Sequence, residues 1–263
     1  MAELTLFFDK YQLNMAYAQF QQGTHTRPVV FEAFFRRSPF GETLGSPCVF
    51  MGLARLMEYF AQLKFTESDL EFLSHQPEAY SSEFLEYLRH WQFDATVASV
   101  PEGTFVFPKE PVLWIQGPIL TTLLVETALL CITGYQTLVA TKAARIYSAA
   151  VDPLTKMATK DQSRHHTKEP NLMEFGARRA QETEAAIWCS RAAYIVGFHA
   201  TSNVLAGQKF DIPCVGTHSH AWVQLYDNEL AAFRAFAQTF PDKSVLLVDT
   251  YDPIQSGIPN ALR

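Results

Sequence analysis

Cysteine is scarce in this 263-residue chain, and it is scattered. Cys48, Cys131, Cys189 and Cys214 stand far apart in apolar stretches with no C-x-x-C pair, so neither a disulfide framework nor a zinc site is expected. Positive charge is also short. The 21 lysines and arginines face 27 acidic residues, a net charge of −6, which excludes a general electrostatic attraction to nucleic acid. A membrane-spanning run is missing too. The most apolar stretch, "GPILTTLLVETALLCIT" at residues 117–133, is too short for a span and contains Glu126 and several threonines, so it reads as a buried helix. Glu3, Asp9 and Lys10 lie within the first ten residues, where a secretory leader would be basic and then apolar, so none is expected. Repeats and low-complexity tracts are absent. What is present is an ordinary globular composition, 48% hydrophobic and 18% charged, with room for one large domain or two modest ones. A reduced, cytoplasmic, soluble protein is expected.

The chain divides by pattern. "DKYQLNMAYAQFQQG" reads as a helix capped by Asp9 and stopped by Gly23. "PVVFEAFFR" is strand-like; "FMGLARLMEYFAQL" and "SSEFLEYLRHW" have helical spacing. "FDATVASV", "TFVF" and "VLWIQG" are strand-like pieces separated by "PEG" and "PKEP" turns. Two helices are expected next, "PILTTLLVETALLCI" and "YQTLVATKAARIYSAAV". Residues 1–150 therefore read as an α+β domain. A polar, proline-bounded segment at 152–170 reads as a surface loop. Beyond it, "NLMEFG", "FHATS", "IPCVGT" and "SVLLVDTYD" alternate with three helices, the pattern of a parallel α/β sheet, with a TIM-like barrel as the leading form. Residues 151–263 are thus expected to be the first part of such a barrel, and the fold class α/β.

A polar motif follows each of those four strands, and in a parallel barrel such positions converge on one face. The segment "DIPCVGTHSH" (211–220) crowds Thr217, His218, Ser219 and His220 at a strand end; histidine there suits a titrating group or a nucleophile, or else a solvated turn. Phe175, Arg178 and Arg179 come from "EFGARR": an aromatic ring stacks on a flat ligand, and a guanidinium fork pairs with phosphate. Thr201, Ser202 and Asn203 either meet an anion or cap a helix. Asp249 and Asp252 in "VDTYD" suit magnesium, a ribose hydroxyl, orientation of a histidine, or a helix cap. Lys142 and Arg145 either approach phosphates or form salt bridges on their helix. His165 and His166 sit beside lysines, where no metal site is expected.

Seven motifs, "DKYQLNMAYA", "FEAFFRRSPFG", "LVATKAARI", "EFGARRAQ", "TSNVLAG", "GTHSHAW" and "LLVDTYD", occur in the order and at about the spacing that resembles the nicotinate phosphoribosyltransferases over nearly the whole chain. The resemblance implies formation of nicotinate mononucleotide from nicotinate and phosphoribosyl pyrophosphate, with ATP hydrolysis coupled through a phosphohistidine, in NAD biosynthesis. By resemblance His220 matches the phosphorylated histidine of a Gly-Thr-x-x-His motif, and His218 is a solvated bystander in a turn. Phe175 lies against the nicotinate ring and Arg178 contacts substrate anions. Tyr11 covers the ring from a neighbouring subunit, which implies a homodimer with shared sites. Read without the family, Tyr11 would be a core residue. Thr201, Ser202, Asn203 and Asp249 complete the expected substrate-binding set. Magnesium is expected with ATP and phosphoribosyl pyrophosphate as substrates, with no tightly bound organic cofactor, no nucleic acid and no membrane. The chain departs from the family pattern at His199 and Ala200, where relatives carry aspartate and glycine. It also ends at "GIPNALR", where relatives continue through the rest of a barrel whose loops, the resemblance implies, bind the phosphoribosyl group, so a C-terminally shortened member lacking part of the active site is expected. The alternatives are a nicotinamide- or quinolinate-specific relative, or a non-catalytic remnant that dimerises with a full-length partner.

Overall fold

The computed structural model describes residues 4–40, 46–151 and 171–263. The loop expected at 152–170, with His165 and His166, lies outside the described residues.

Helix α1 (Lys10–Gln21) starts where the Asp9 N–H donates to Gln12 Oε1 at 3.1 Å, and the chain leaves it at Gly23 with φ +69°. Strand β1 (Pro28–Phe34) is followed by a short strand β2 (Cys48–Val49). Three short helices come next, α2 (Leu53–Phe60), α3 (Glu67–Ser74) and α4 (Ser82–His90). Helix α3 was not anticipated, although its start carries a clear signal: the Thr66 N–H donates to Asp69 Oδ2 at 2.8 Å and the Asp69 N–H donates to Thr66 Oγ1 at 3.2 Å. Strands β3 (Thr96–Ser99), β4 (Phe105–Val106) and β5 (Pro111–Pro118) follow. The antiparallel sheet has the order β1-β5-β3, and β2 pairs separately with β4.

The two helices expected after β5 are one helix, α5 (Ile119–Val151), of 33 residues. Gly134 costs about 1 kcal/mol in a helix interior, but packing on both sides of it outweighs that cost. Leu120, Leu123, Leu124 and Ala128 enter the main core with Phe50, Leu56, Phe84 and Leu88, and all eight are at most 3% exposed. Each buried leucine or phenylalanine among them contributes about 1.5–3 kcal/mol. Further along, the Thr137 and Thr141 hydroxyls accept from the backbone N–H groups of Met51 and Val49 at 3.0 and 2.9 Å. These threonines satisfy amides that the short strand β2 leaves unpaired. Helix α5 is long and apolar enough to cross a membrane, with mean hydropathy 1.5 over its most apolar window, yet half of that window is buried within the protein. It is a core helix.

Beyond α5 the order is β6 (Met173–Glu174), α6 (Thr183–Ile195), β7 (Ala200–Thr201), α7 (Val204–Phe210), α8 (His220–Gln224) and α9 (Glu229–Thr239). Strands β6 and β7 pair in parallel, with Glu174 opposite Thr201, and Thr201 forms a parallel bridge to Cys214. The single helix expected over residues 220–240 is two: the first ends at Gln224, and Asn228 caps the second, its Oδ1 accepting from the Ala231 N–H at 2.9 Å. The fourth expected strand, residues 244–250, is not paired as a strand; its Leu246 and Val248 pack instead on Val223, Ala232 and Phe233. The result is mixed α/β, an α+β unit followed by a partial parallel α/β unit. A small core of Val49, Met51, Ala140 and Ala192 draws on both sides of the expected boundary at 150.

Charged contacts tie the units as well. Arg191 on α6 pairs with Glu102 at 2.7 Å, and Lys209 on α7 pairs with Glu58 on α2 at 3.1 Å. Helix α2 approaches α5 so closely that a Cβ at Gly52 would lie 2.9 Å from Thr133 Cα, and Gly52 has φ +113°. Only glycine fits there.

Candidate active site

Parallel pairing places the ends of β6 and β7 side by side, and a buried carboxylate joins them. In the strand "LMEF", Glu174 faces opposite to Met173 and Phe175 because side chains alternate. Glu174 is 7% exposed. Its Oε2 accepts from Ser190 Oγ on α6 and from Thr201 Oγ1 on β7, both at 2.8 Å, and its Oε1 accepts from the Gly176 N–H. Thr201 Oγ1 in turn accepts from the Asn203 N–H at 3.0 Å. Thr201, fully buried, therefore has its hydroxyl committed behind the strand ends, away from open space.

Two cavities flank the segment after Glu174. One, of about 450 Å3, is lined by Phe175, Met173, Phe40, Lys142, Ile146 and Cys189, among others. Phe175 is half-exposed there. Lys142 Nζ and the Arg145 guanidinium lie 5.3 and 5.4 Å from the Phe40 ring centre, the range of cation–π attraction. Arg145 also donates to the Phe40 carbonyl at 3.3 Å. Burial, and then the neighbouring Glu174 carboxylate, push the Cys189 thiol up to about 11, so it is a neutral lining group and a poor nucleophile near neutral pH. The second cavity, of about 660 Å3, is lined by Arg178, Ser202, Asn203, Glu182, Thr183 and Leu205, among others. Arg178 follows Gly176 in a 3-10 turn. Asn203 is also a helix cap, its Oδ1 accepting from the Ala206 N–H at 3.1 Å. Phe175, expected against the nicotinate ring, and Arg178, expected at substrate anions, thus open onto different cavities on either side of Gly176.

The histidine pair divides sharply. His218, expected to be solvated, is 8% exposed. The Leu247 N–H donates to its Nε2 at 3.2 Å, its Nδ1 lies 3.4 Å from the Ser219 carbonyl, and its ring packs edge-on against Phe236 at 4.9 Å. With Nε2 accepting, the proton belongs on Nδ1. His218 therefore holds residues 244–250 against the strand-end loop, which accounts for their order without strand pairing. His220 is exposed at the start of α8, with Nδ1 3.2 Å from Thr250 Oγ1. Its neighbour across that contact, Asp249, is exposed. Asp252 is a cap, its Oδ1 accepting from the Ile254 and Gln255 N–H groups at 2.9 and 2.8 Å. His199 Nδ1 accepts from the Leu172 N–H at 3.2 Å.

Tyr11 is 52% exposed on α1, not a core residue, and its hydroxyl donates to Glu126 Oε1 at 3.4 Å. It lines neither cavity. Glu174, Ser190 and Phe40 were missed. Glu174 had a signal: a carboxylate between two apolar residues of a strand facing a helix has to find buried donors.

Comparison with known proteins bears on this arrangement. One family model, described as the nicotinate phosphoribosyltransferase (NAPRTase) N-terminal domain, matches residues 6–133, and a second, the NAPRTase family, matches residues 171–256. The chain is 45% identical over 260 residues to nicotinate phosphoribosyltransferase of Bacillus subtilis, covering 99% of this chain and 49% of that protein. It is 36% identical to nicotinate phosphoribosyltransferase of Caenorhabditis elegans, with 97% and 51% covered. The crystal structure of human nicotinic acid phosphoribosyltransferase superposes with a TM-score of 0.82 at 31% identity, covering 96% of this chain and 56% of that one. The chain spans about half the length of the curated relatives it matches.

Proposed function

The chain belongs to the nicotinate phosphoribosyltransferase family, and from that membership we propose that it carries the nicotinate-binding and phosphorylatable part of an enzyme forming nicotinate mononucleotide. The pyridine nitrogen of nicotinate attacks the anomeric carbon of phosphoribosyl pyrophosphate, and the carbon–oxygen bond to pyrophosphate breaks. Such a displacement needs positioning and charge stabilisation more than covalent help. The observation that carries the reading is the cavity of about 450 Å3 that the Phe175 ring and the Lys142 side chain both line. A flat aromatic acid matches both, stacking on the ring and placing its carboxylate towards the ammonium.

In this reading Arg178, with Ser202 and Asn203, takes the anionic groups of the phosphoribosyl substrate, and Asp249 takes a ribose hydroxyl. Thr201 shapes that surface from behind. ATP phosphorylates His220 at Nε2, the ring nitrogen not facing Thr250: the bond from the γ-phosphorus to the β–γ bridging oxygen breaks as the bond to nitrogen forms. Magnesium enters with the phosphates of ATP and phosphoribosyl pyrophosphate; among the described residues no group of three or more His, Cys, Asp or Glu is arranged to hold a metal. Tyr11 completes the site of a second subunit in a homodimer. The enzyme is cytoplasmic and serves NAD synthesis.

The test is chromatographic. The purified protein, mixed with the C-terminal half of a full-length relative, is incubated with nicotinate, phosphoribosyl pyrophosphate and magnesium ATP, and nicotinate mononucleotide is measured against parallel reactions with nicotinamide and quinolinate. Preferential turnover of nicotinate is expected. Preference for either other pyridine overturns the substrate assignment, and no turnover with any of them overturns the enzymatic reading.

A further inference from the structure

The geometry assigns Glu174 the role of positioning residue for the two substrate loops. The assignment rests on the proposed function, since those loops are the ones expected to hold nicotinate and the phosphoribosyl group. Three kinds of donor converge on this one buried carboxylate: the Gly176 N–H from the loop bearing Phe175 and Arg178, the Thr201 hydroxyl from the strand leading into Ser202 and Asn203, and the Ser190 hydroxyl from helix α6. The two loop contacts lie on opposite oxygens, so the carboxylate bridges the loops directly, and Thr201 Oγ1 extends the bridge to the Asn203 N–H. The Ser202 N–H donates to the Glu174 carbonyl at 3.0 Å, adding a backbone bond to the same junction. Ser190 is different in kind. It anchors the bridge to a helix and contributes no bond from a loop to the carboxylate; its hydroxyl lies 3.1 Å from Thr201 Oγ1 and 3.1 Å from the Ala186 carbonyl as well.

This difference makes the role separable from stability. Glu174→Ala removes the acceptor for both loops. Glu174→Gln keeps a carbonyl oxygen for the Gly176 N–H and offers an amide to the hydroxyls, which reorient, Ser190 towards Ala186. Thr201→Val cuts the loop side of the bridge, whereas Ser190→Ala cuts the helix side and leaves the bonds from Gly176 and Thr201 to the carboxylate in place. Glu174→Ala and Thr201→Val are expected to raise the KM for nicotinate roughly tenfold or more. Glu174→Gln stays within a few-fold of the parent, and Ser190→Ala leaves KM unmoved while lowering the melting temperature. NMR-detected amide exchange at Gly176 and Asn203 is measured alongside, with faster exchange expected in Glu174→Ala. A KM shift in Ser190→Ala equal to that in Thr201→Val overturns the assignment, as does an unchanged KM in Glu174→Ala. Absence of nicotinate turnover in the parent protein counts against the proposed function alone, and exchange then decides: unaltered protection of Gly176 and Asn203 in Glu174→Ala overturns the bridge, and lost protection upholds it.

Discussion

Replacing Glu102 tests how the two units are joined. Its Oε2 accepts from Arg191 Nη2 at 2.7 Å, and its Oε1 accepts from the Gly52 and Ala54 N–H groups at 2.8 and 3.3 Å, at the start of α2. The side chains of Arg191 and Glu102 are 19% and 13% exposed. Removing one partner of a buried pair costs about 3–5 kcal/mol, and a lost helix cap about 1 kcal/mol. Allowing for the residual exposure, Glu102→Ala is expected to cost about 3–5 kcal/mol in all. Glu102→Gln keeps an acceptor for the helix start and loses the charge, so its cost is that of one charge-assisted hydrogen bond, about 1.5–3 kcal/mol. For a chain of this size that lowers the melting temperature by about 3–12 °C.

The pH dependence sharpens the test. Burial disfavours the Glu102 carboxylate, but the hydrogen bond and charge of Arg191, with the Gly52 and Ala54 amides, hold its pKa below the ordinary 4.5. A carboxyl lowered in the folded state contributes stability that is fully present above its unfolded value and lost as pH falls through the folded one. The gap between parent and Glu102→Gln should be constant from pH 7 to about 5.5 and close progressively below about pH 4.5. Urea unfolding followed by circular dichroism across that range provides the measurement. A gap that persists undiminished at pH 3, or a glutamine variant as unstable as the alanine one, would refute the ion-pair reasoning.

His220→Ala should abolish phosphoenzyme formation from labelled ATP and leave slow, ATP-independent synthesis, whereas His218→Ala should retain the phosphoenzyme and lose about 1–3 kcal/mol of stability through the unpaired Leu247 amide; the reverse pattern would show that the histidines were assigned the wrong way round. Phe175→Ala should raise the KM for nicotinate far more than that for ATP, an equal rise in both pointing to packing alone. Tyr11→Ala should do the same if its ring serves a second subunit, and verified mixed dimers of Tyr11→Ala with His220→Ala should then recover part of the activity; no recovery argues against a shared site. Gly52→Ala should cost more than 1 kcal/mol, read from the unfolding midpoint, since φ +113° and the 2.9 Å approach to Thr133 Cα both oppose a side chain.

Much of this was legible because the signals were local. Asp9 and Gly23 bound α1, Ser81 accepts from the Phe84 N–H at the start of α4, and the strand–helix alternation after residue 170 announces parallel pairing. The failures came where distant contacts decide. Nothing near Gly134 says that α5 continues, because its continuity depends on packing contributed by residues far away in sequence. His218 reads as a turn residue until Leu247, 29 positions later, supplies an N–H and Phe236 a ring face. Residues 244–250 are as apolar as a strand, but their order comes from that histidine and from side-chain packing on α8 and α9 rather than from a ladder.

The division of Phe175 and Arg178 between two cavities changes how the proposed chemistry must be arranged. Along "EFGAR" the chain turns at Gly176, whose N–H is held by Glu174 and whose Cβ, if present, would lie 2.9 Å from Glu174 Oε1. The turn therefore separates an aromatic, cation-bearing surface on one side from a guanidinium with hydroxyl and amide groups on the other. A single small acid cannot fill both. Two substrates can: a flat acid against Phe175, and a phosphate-bearing sugar against Arg178, Ser202 and Asn203. In the proposed arrangement their reacting atoms meet across the Gly176 turn, and the precision of that meeting depends on the bond that fixes the turn. The carboxylate that makes this bond touches neither substrate in the proposed arrangement. It sets the distance between the two surfaces, which is the quantity a displacement reaction between two bound substrates is most sensitive to.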